Sequence, residues 1–266
     1  MNPGILSVFG KEPAMPFGLL GRPTPIPTIH PRFGFNISSI PSMALWFDAT
    51  DSSTLTVTDG VVSEWKSKFG NITATQAAGN RPSFVNNGIN GRPSLLFNGS
   101  TSRLTTTYNA SNLTGFVTYA AVVQLAAIPI ANTYWPVIIA RSGGTASALN
   151  INSNSIPPRW TITHRTGVFD STQGAPVAIF SQRIVATIDS SGFRIRVNGI
   201  SGRRYISLTA GSGLSSALFV IGYDSTAGNR YLYGSVGEIL MWSRSLTEIE
   251  IENVDTYLAS KWAVGI

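Results

Sequence analysis

The chain has 266 residues, 43% hydrophobic and 12% charged, and 19 basic against 13 acidic side chains leave a formal net charge of +6. This is enough apolar material for one good core, and an all-β sandwich of such length is usually a single domain. The lack of cysteine excludes disulfides and thiolate metal sites, and no dense basic run interleaved with aromatics points to nucleic acid.

Residues 1–42 read as an extended arm. Eight of the 15 prolines (Pro3, Pro13, Pro16, Pro23, Pro25, Pro27, Pro31 and Pro41) fall there, and its only charges are Lys11, Glu12, Arg22 and Arg32. Proline lacks the amide that a central strand needs, and Pro23-Thr-Pro25-Ile-Pro27 favours a polyproline-like path. Disordered linkers are charged and poor in large apolar residues. This segment instead carries Phe9, Phe17, Leu19, Leu20, Ile26, Ile29, Phe33 and Phe35. Those side chains, with Arg22 and Arg32 giving polar register against an acidic surface, are the expected partner-binding residues. Met1 is followed by no basic n-region or small-residue cleavage site, and no apolar run approaches the ~18 residues of a membrane span. The expectation is a protein made in the cytoplasm, without membrane insertion.

Residues 43–266 read as the domain. It opens with Ala44-Leu45-Trp46-Phe47-Asp48-Ala49, Val61-Val62-Ser63-Glu64-Trp65-Lys66 and Asn90-Gly91-Arg92-Pro93-Ser94-Leu95-Leu96-Phe97-Asn98-Gly99. Strand candidates then alternate with turns over residues 114–123, 136–140, 160–164, 175–188, 193–198, 217–222 and 230–242. Phe193-Arg194-Ile195-Arg196-Val197-Asn198-Gly199 combines strand alternation with a hairpin Asn-Gly. Without an internal repeat, the pattern predicts a two-sheet antiparallel sandwich rather than a propeller or solenoid. The hydrophobic period changes after Trp242: Leu246, Ile249, Ile251, Val254, Leu258 and Trp262 recur as one helical face requires. Thr247 and Glu250 form a capping box, with Leu246 stapled onto Ile251.

Taken together, the three opening segments, the Phe193–Gly199 strand and the run from Gly234 to Trp262 resemble concanavalin A-like, LamG-type jelly-roll domains. These occur in lectins, laminin G modules and phage and bacterial surface proteins, and the likeness covers about Met43 to Trp262. Members often close with Gly-x-Ile-x-Glu, two hydrophobic residues, a polar turn and a short helix ending near Lys-Trp. The resemblance implies an all-β jelly-roll sandwich of two antiparallel sheets with a short C-terminal helix. It implies no single function, since the architecture hosts binders, enzymes and inert modules.

Of the acidic residues, Glu248-Ile-Glu250-Ile-Glu252 has the spacing of a laminarinase-like glycosidase if it is a strand, where hydrolysis with retention needs two carboxyls roughly 5 Å apart. On a helix, residues two apart diverge and Glu250 serves the cap, which is the expected reading. Asp51 is expected to cap a short turn, and Asp224 to form a turn at a place where related domains sometimes bind calcium or sugar. Two histidines, His30 and His164, assemble no triad or metal site, and no cofactor motif occurs. Sugar binding would use loop aromatics with neighbouring polar groups, and the candidates are Tyr134, Trp135, Trp160, Tyr223, Asp224, Asn229 and Arg230. Trp46, Trp65, Trp242 and Trp262 are assigned to packing. The resulting expectation is a non-enzymatic virion structural protein, a phage capsid decoration or neck or tail protein. It would be anchored by the arm to other virion proteins, display a lectin-like domain towards host glycans, and be open to homo-oligomerisation. A secreted or cell-surface carbohydrate-binding module is the alternative, and a glycoside hydrolase the third reading.

Overall fold

The computed structural model describes residues 35–129, 136–142, 147–152, 157–164, 167–170, 176–205, 214, 216–225 and 230–265. Among them are Met43–Asp48 (β1), Leu55–Thr58 (β2), Val61–Lys66 (β3), Thr73–Thr75 (β4), Ser83–Ile89 (β5), Arg92–Asn98 (β6), Leu104–Asn109 (β7), Thr118–Leu125 (β8) and Val137–Arg141 (β9). There follow Ser147–Asn152 (β10), Arg159–His164 (β11), Gly167–Asp170 (β12), Gln182–Asp189 (β13), Gly192–Val197 (β14), Ile200–Tyr205 (β15), Leu218–Ile221 (β16), Tyr233–Trp242 (β17) and the helix Glu248–Trp262 (α1).

The antiparallel pairings fall into two layers. One sheet runs β5-β6-β17-β8-β13-β14-β15, and β1 takes over from β6 along the second half of β17. The other runs β2-β3-β4-β7-β16-β9-β10-β11-β12. Among the described strands one residue pair, Val61 with Ser83, joins them. Between the layers lies the main core. Leu45, Phe47, Tyr119, Ala121, Val123, Ile195 and Ile239 reach it from the first sheet, and Trp65, Ile139, Leu149, Trp160, Ile162 and Phe219 from the second. This is the expected two-sheet sandwich.

A second apolar cluster covers the outer face of the first sheet. The alternate residues Ala120 and Val122 of β8, Val185 of β13 and Leu240 and Trp242 of β17 meet Ile251, Val254, Leu258 and Trp262 of α1. With both faces covered, β8 reads Thr-Tyr-Ala-Ala-Val-Val-Gln-Leu, almost without polar interruption. The helix starts as predicted: Thr247 Oγ1 accepts from Glu250 N, and Glu250 Oε2 accepts from Thr247 N at 2.9 Å. Leu246 and Ile251 are both buried in the second cluster. Ile249 departs from the predicted face and is 66% exposed, because position 251 turns inward and a residue two earlier on a helix points elsewhere. A buried ion pair between Arg183 of β13 and Asp255 of α1, with bonds of 2.8 and 3.2 Å, pins the helix to its sheet.

Several local predictions hold to within a residue or two. Asn198 (φ 50) and Gly199 (φ 83) make the left-handed two-residue turn between β14 and β15. Asp51 caps its short turn by accepting from Ser53 N at 3.2 Å. Two boundaries differ. The strand expected from residue 175 begins at Gln182, since Ile179 and Phe180 are exposed and Gln182 Oε1 takes the amide of Ala178 at 2.9 Å. The arm was expected to extend to residue 42, yet Phe35, Ile37 and Ile40 pack in the second cluster, and residues 33–266 form one compact unit. These three side chains gain more by joining this apolar cluster than by staying in water. No helix among the described residues is long and apolar enough to cross a membrane.

Candidate functional site

Where β6 and β16 end and β7 and β17 begin, short connections bring aromatic and charged side chains together at the rim of the sandwich. Asn98 organises the first connection: its Oδ1 accepts from the amides of Ser100, Thr101 and Ser102 at 2.9–3.0 Å. That turn delivers Arg103, whose own amide is tied to the carbonyl of Asn80 at 2.9 Å. In the second connection Tyr223 and Tyr231 form an isolated antiparallel bridge, and their rings stack at 4.2 Å between centroids with an interplanar angle of 22°. The Arg103 guanidinium lies 5.4 Å from the Tyr223 ring centroid, and its Nη1 donates to Tyr231 Oη at 3.3 Å. Behind the pair, buried Asp224 accepts from Arg230 Nη1 at 2.6 Å. Burial, then the neighbouring Tyr231, raises the Tyr223 phenol above its ordinary value, so this ring keeps its hydroxyl proton as a hydrogen-bond donor.

Of the sugar-binding candidates, Tyr223, Asp224 and Arg230 are therefore neighbours in one site. Trp160 is not part of it. It is fully buried in the main core with its indole N–H on Gln182 Oε1 at 3.1 Å, because β11 turns that position towards the opposite sheet. Tyr134, Trp135 and Asn229 lie outside the described residues, as do Phe9, Phe17, Leu19, Leu20, Arg22, Ile26, Ile29, Arg32 and Phe33 of the arm. Arg103 and Tyr231 were missed by sequence reasoning. Tyr231 is adjacent to Arg230 in the chain and was legible, whereas Arg103 comes into place only through the sheet.

A second polar constellation was also missed. Glu238 of β17 is fully buried, and its two oxygens accept four bonds: from Trp46 Nε1 at 2.6 Å, Tyr257 Oη at 2.8 Å, Trp262 Nε1 at 2.6 Å and Lys261 Nζ at 2.9 Å. Asp48, its cross-strand neighbour on β1, takes Lys261 at 2.7 Å and Lys68 at 3.1 Å. Burial holds the Glu238 carboxyl above the usual carboxylate range although Lys261 pulls it down. For Asp48 the lysines and Thr50 outweigh burial, so its carboxyl sits below its ordinary value. Next to Glu238, Gly237 is obligatory, since a Cβ there would lie 2.4 Å from the Trp262 indole. These carboxylates join β1, β17 and α1 and face no solvent, which fits a structural latch better than acid–base work. Glu250 caps α1 and bonds Arg244 at 2.6 and 2.9 Å, and Glu248 bonds Arg194 at 2.9 Å. The Glu248, Glu250 and Glu252 carboxyls thus belong to a helix start.

A family model for the concanavalin A-like lectin/glucanases superfamily matches residues 97–252, more than half of the chain. The chain belongs to this superfamily. Solved structures place the domain in the same way. The sialidase of Trypanosoma rangeli is similar over 83% of this chain at 15% identity with a TM-score of 0.54, and the match spans 33% of the sialidase. Domain 4 of AbnA, an extracellular GH43 arabinanase of Geobacillus stearothermophilus solved with arabinotriose, is similar over 80% of this chain and 98% of its own, at 12% identity and a TM-score of 0.53. An arabinofuranosidase complexed with arabinofuranosyl-α-1,2-xylobiose matches 83% of this chain and 59% of its own at 13% identity, TM-score 0.54. No curated protein matches the chain by sequence. At such identities the likeness speaks for the lectin/glucanase fold, and the site must be argued from its residues.

Proposed function

We propose that this domain is a non-catalytic carbohydrate-binding module that holds sugar at the Tyr223–Tyr231 rim site. The observation that carries the reading is the preformed aromatic pair flanked by Arg103, Asp224 and Arg230, a flat apolar surface with hydrogen-bonding groups at its edge. Support comes from AbnA domain 4, which is similar over nearly its whole length and was solved with a sugar. Affinity per site is expected to be modest, so adhesion would depend on many copies. Retention on immobilised polysaccharides tests this directly. Tyr231→Ala should abolish retention while leaving the thermal midpoint of the sandwich within a few degrees. Full retention by that variant, or sugar cleavage by the wild type, would overturn the assignment.

Display of the module on a virion, through residues 1–34, is a second reading. It draws on the proline-rich, apolar composition of that segment. Removing residues 1–34 should leave a folded domain that no longer joins its assembly. A truncated protein incorporated at normal copy number would dismiss the arm as the anchor.

A further inference from the structure

The charges at the rim do not balance. Asp224 is closed off by Arg230 at 2.6 Å, so that pair presents no net charge. Arg103, by contrast, has only neutral partners among the described residues: the Tyr223 ring, Tyr231 Oη at 3.3 Å and the Thr101 carbonyl at 3.4 Å. Arg81, one residue along from the Asn80 carbonyl that anchors the Arg103 amide, donates its Nε to the Gln76 carbonyl and likewise meets no carboxylate among the described residues. Away from the rim, Arg183, Arg194 and Arg244 are each bound to an acidic side chain within 3.0 Å, as Arg230 is within it. Arg103 thus holds an uncompensated guanidinium beside a tyrosine stack.

We propose that the rim site selects sugars that carry a carboxylate, with Arg103 as the group that binds it; this rests on the reading of the rim as a sugar site. The hydrogen bonds of Arg103 use Nη1 alone, leaving the Nε and Nη2 edge without a protein partner among the described residues. That edge is the fork that meets a carboxylate by two parallel N–H bonds. Contact with the Tyr223 ring and with Tyr231 Oη holds the fork in place before the ligand arrives, so less rotamer freedom is lost on binding. A neutral sugar would use the tyrosines and leave this charge unanswered. A uronic acid would use both.

The test compares trigalacturonate with its fully methyl-esterified form, which has the same rings and no charge, by isothermal titration in low salt. The acid should bind the wild-type domain roughly tenfold more tightly than the ester, the size of one charge-assisted bidentate contact. The advantage should shrink as salt is raised to about 0.5 M, where the screening length is only a few Å. Arg103→Gln should bring the ratio of acid to ester affinity down to about one, whatever it does to ester binding itself, and Arg103→Lys should retain part of the wild-type ratio, having the charge without the fork. Melting curves for both variants establish that they are folded. Equal binding of acid and ester by the wild type would overturn the carboxylate inference while leaving the sugar site standing, and so would an acid preference that survives Arg103→Gln. Binding of neither form, together with no retention on neutral polysaccharides, would refute the sugar site and this inference with it.

Discussion

Replacing Glu238 by glutamine should be among the most damaging conservative changes in the molecule. Each carboxylate oxygen accepts two bonds, from the Trp46 indole and Tyr257 hydroxyl on one side and from the Trp262 indole and Lys261 ammonium on the other. Glutamine keeps one oxygen and turns the other into an amino group that faces two donors. Two bonds to a charged acceptor are lost at about 1.5–3 kcal/mol each, and two buried donors are orphaned. Lys261 still holds Asp48 at 2.7 Å, and the neutral amide escapes the desolvation that raises the Glu238 carboxyl. Both effects place the loss towards the lower part of the about 3–5 kcal/mol found when a buried pair is broken. Against a total stability of about 5–15 kcal/mol this is a large fraction. Urea unfolding followed by tryptophan fluorescence measures it, and Glu248→Gln on the exposed start of α1 is the control, with an expected change within about 0.5 kcal/mol. A Glu238→Gln domain less than about 1 kcal/mol weaker than the wild type would show that the latch does not hold β1, β17 and α1 together.

Other outcomes follow from the same contacts. Trp160→Ala should cost about 3–5 kcal/mol through the cavity it leaves in the main core, while sugar retention per folded molecule stays unchanged; selective loss of retention without loss of stability would return Trp160 to the binding surface. Glu250 is held at about 2, first by its bonds to Arg244, against an ordinary 4.5. A depressed carboxyl contributes stability that is present above about 4.5 and lost as the pH falls towards about 2. Glu250→Ala should therefore cost on the order of 2 kcal/mol at pH 7, cap and ion pair together, and its melting temperature should fall less steeply than that of the wild type between those two pH values. Parallel acid limbs for the two proteins would dismiss that ion pair as a source of stability.

What could be read from the chain without its fold was the chemistry of near neighbours. The capping box of Thr247 and Glu250, the Asn198-Gly199 turn and the Asp51 cap each close within a few residues, so their hydrogen bonds are dictated by spacing alone. The two-sheet class was legible for a related reason, since strand alternation and turn residues are local signals that any sandwich must repeat. Which aromatic faces inward is not local. Trp160 and Tyr223 both lie near turns in an unexceptional polar context, yet β11 rotates one into the core and the bridge to Tyr231 keeps the other at the rim. The meeting of Arg103 with Tyr223, of Trp46 with Glu238 and of Arg183 with Asp255 joins residues 72 to 192 positions apart. Those contacts exist only once β17 has paired with β1, β6 and β8, because a buried charge or an ordered guanidinium is stable only where the sheets bring all of its partners at once.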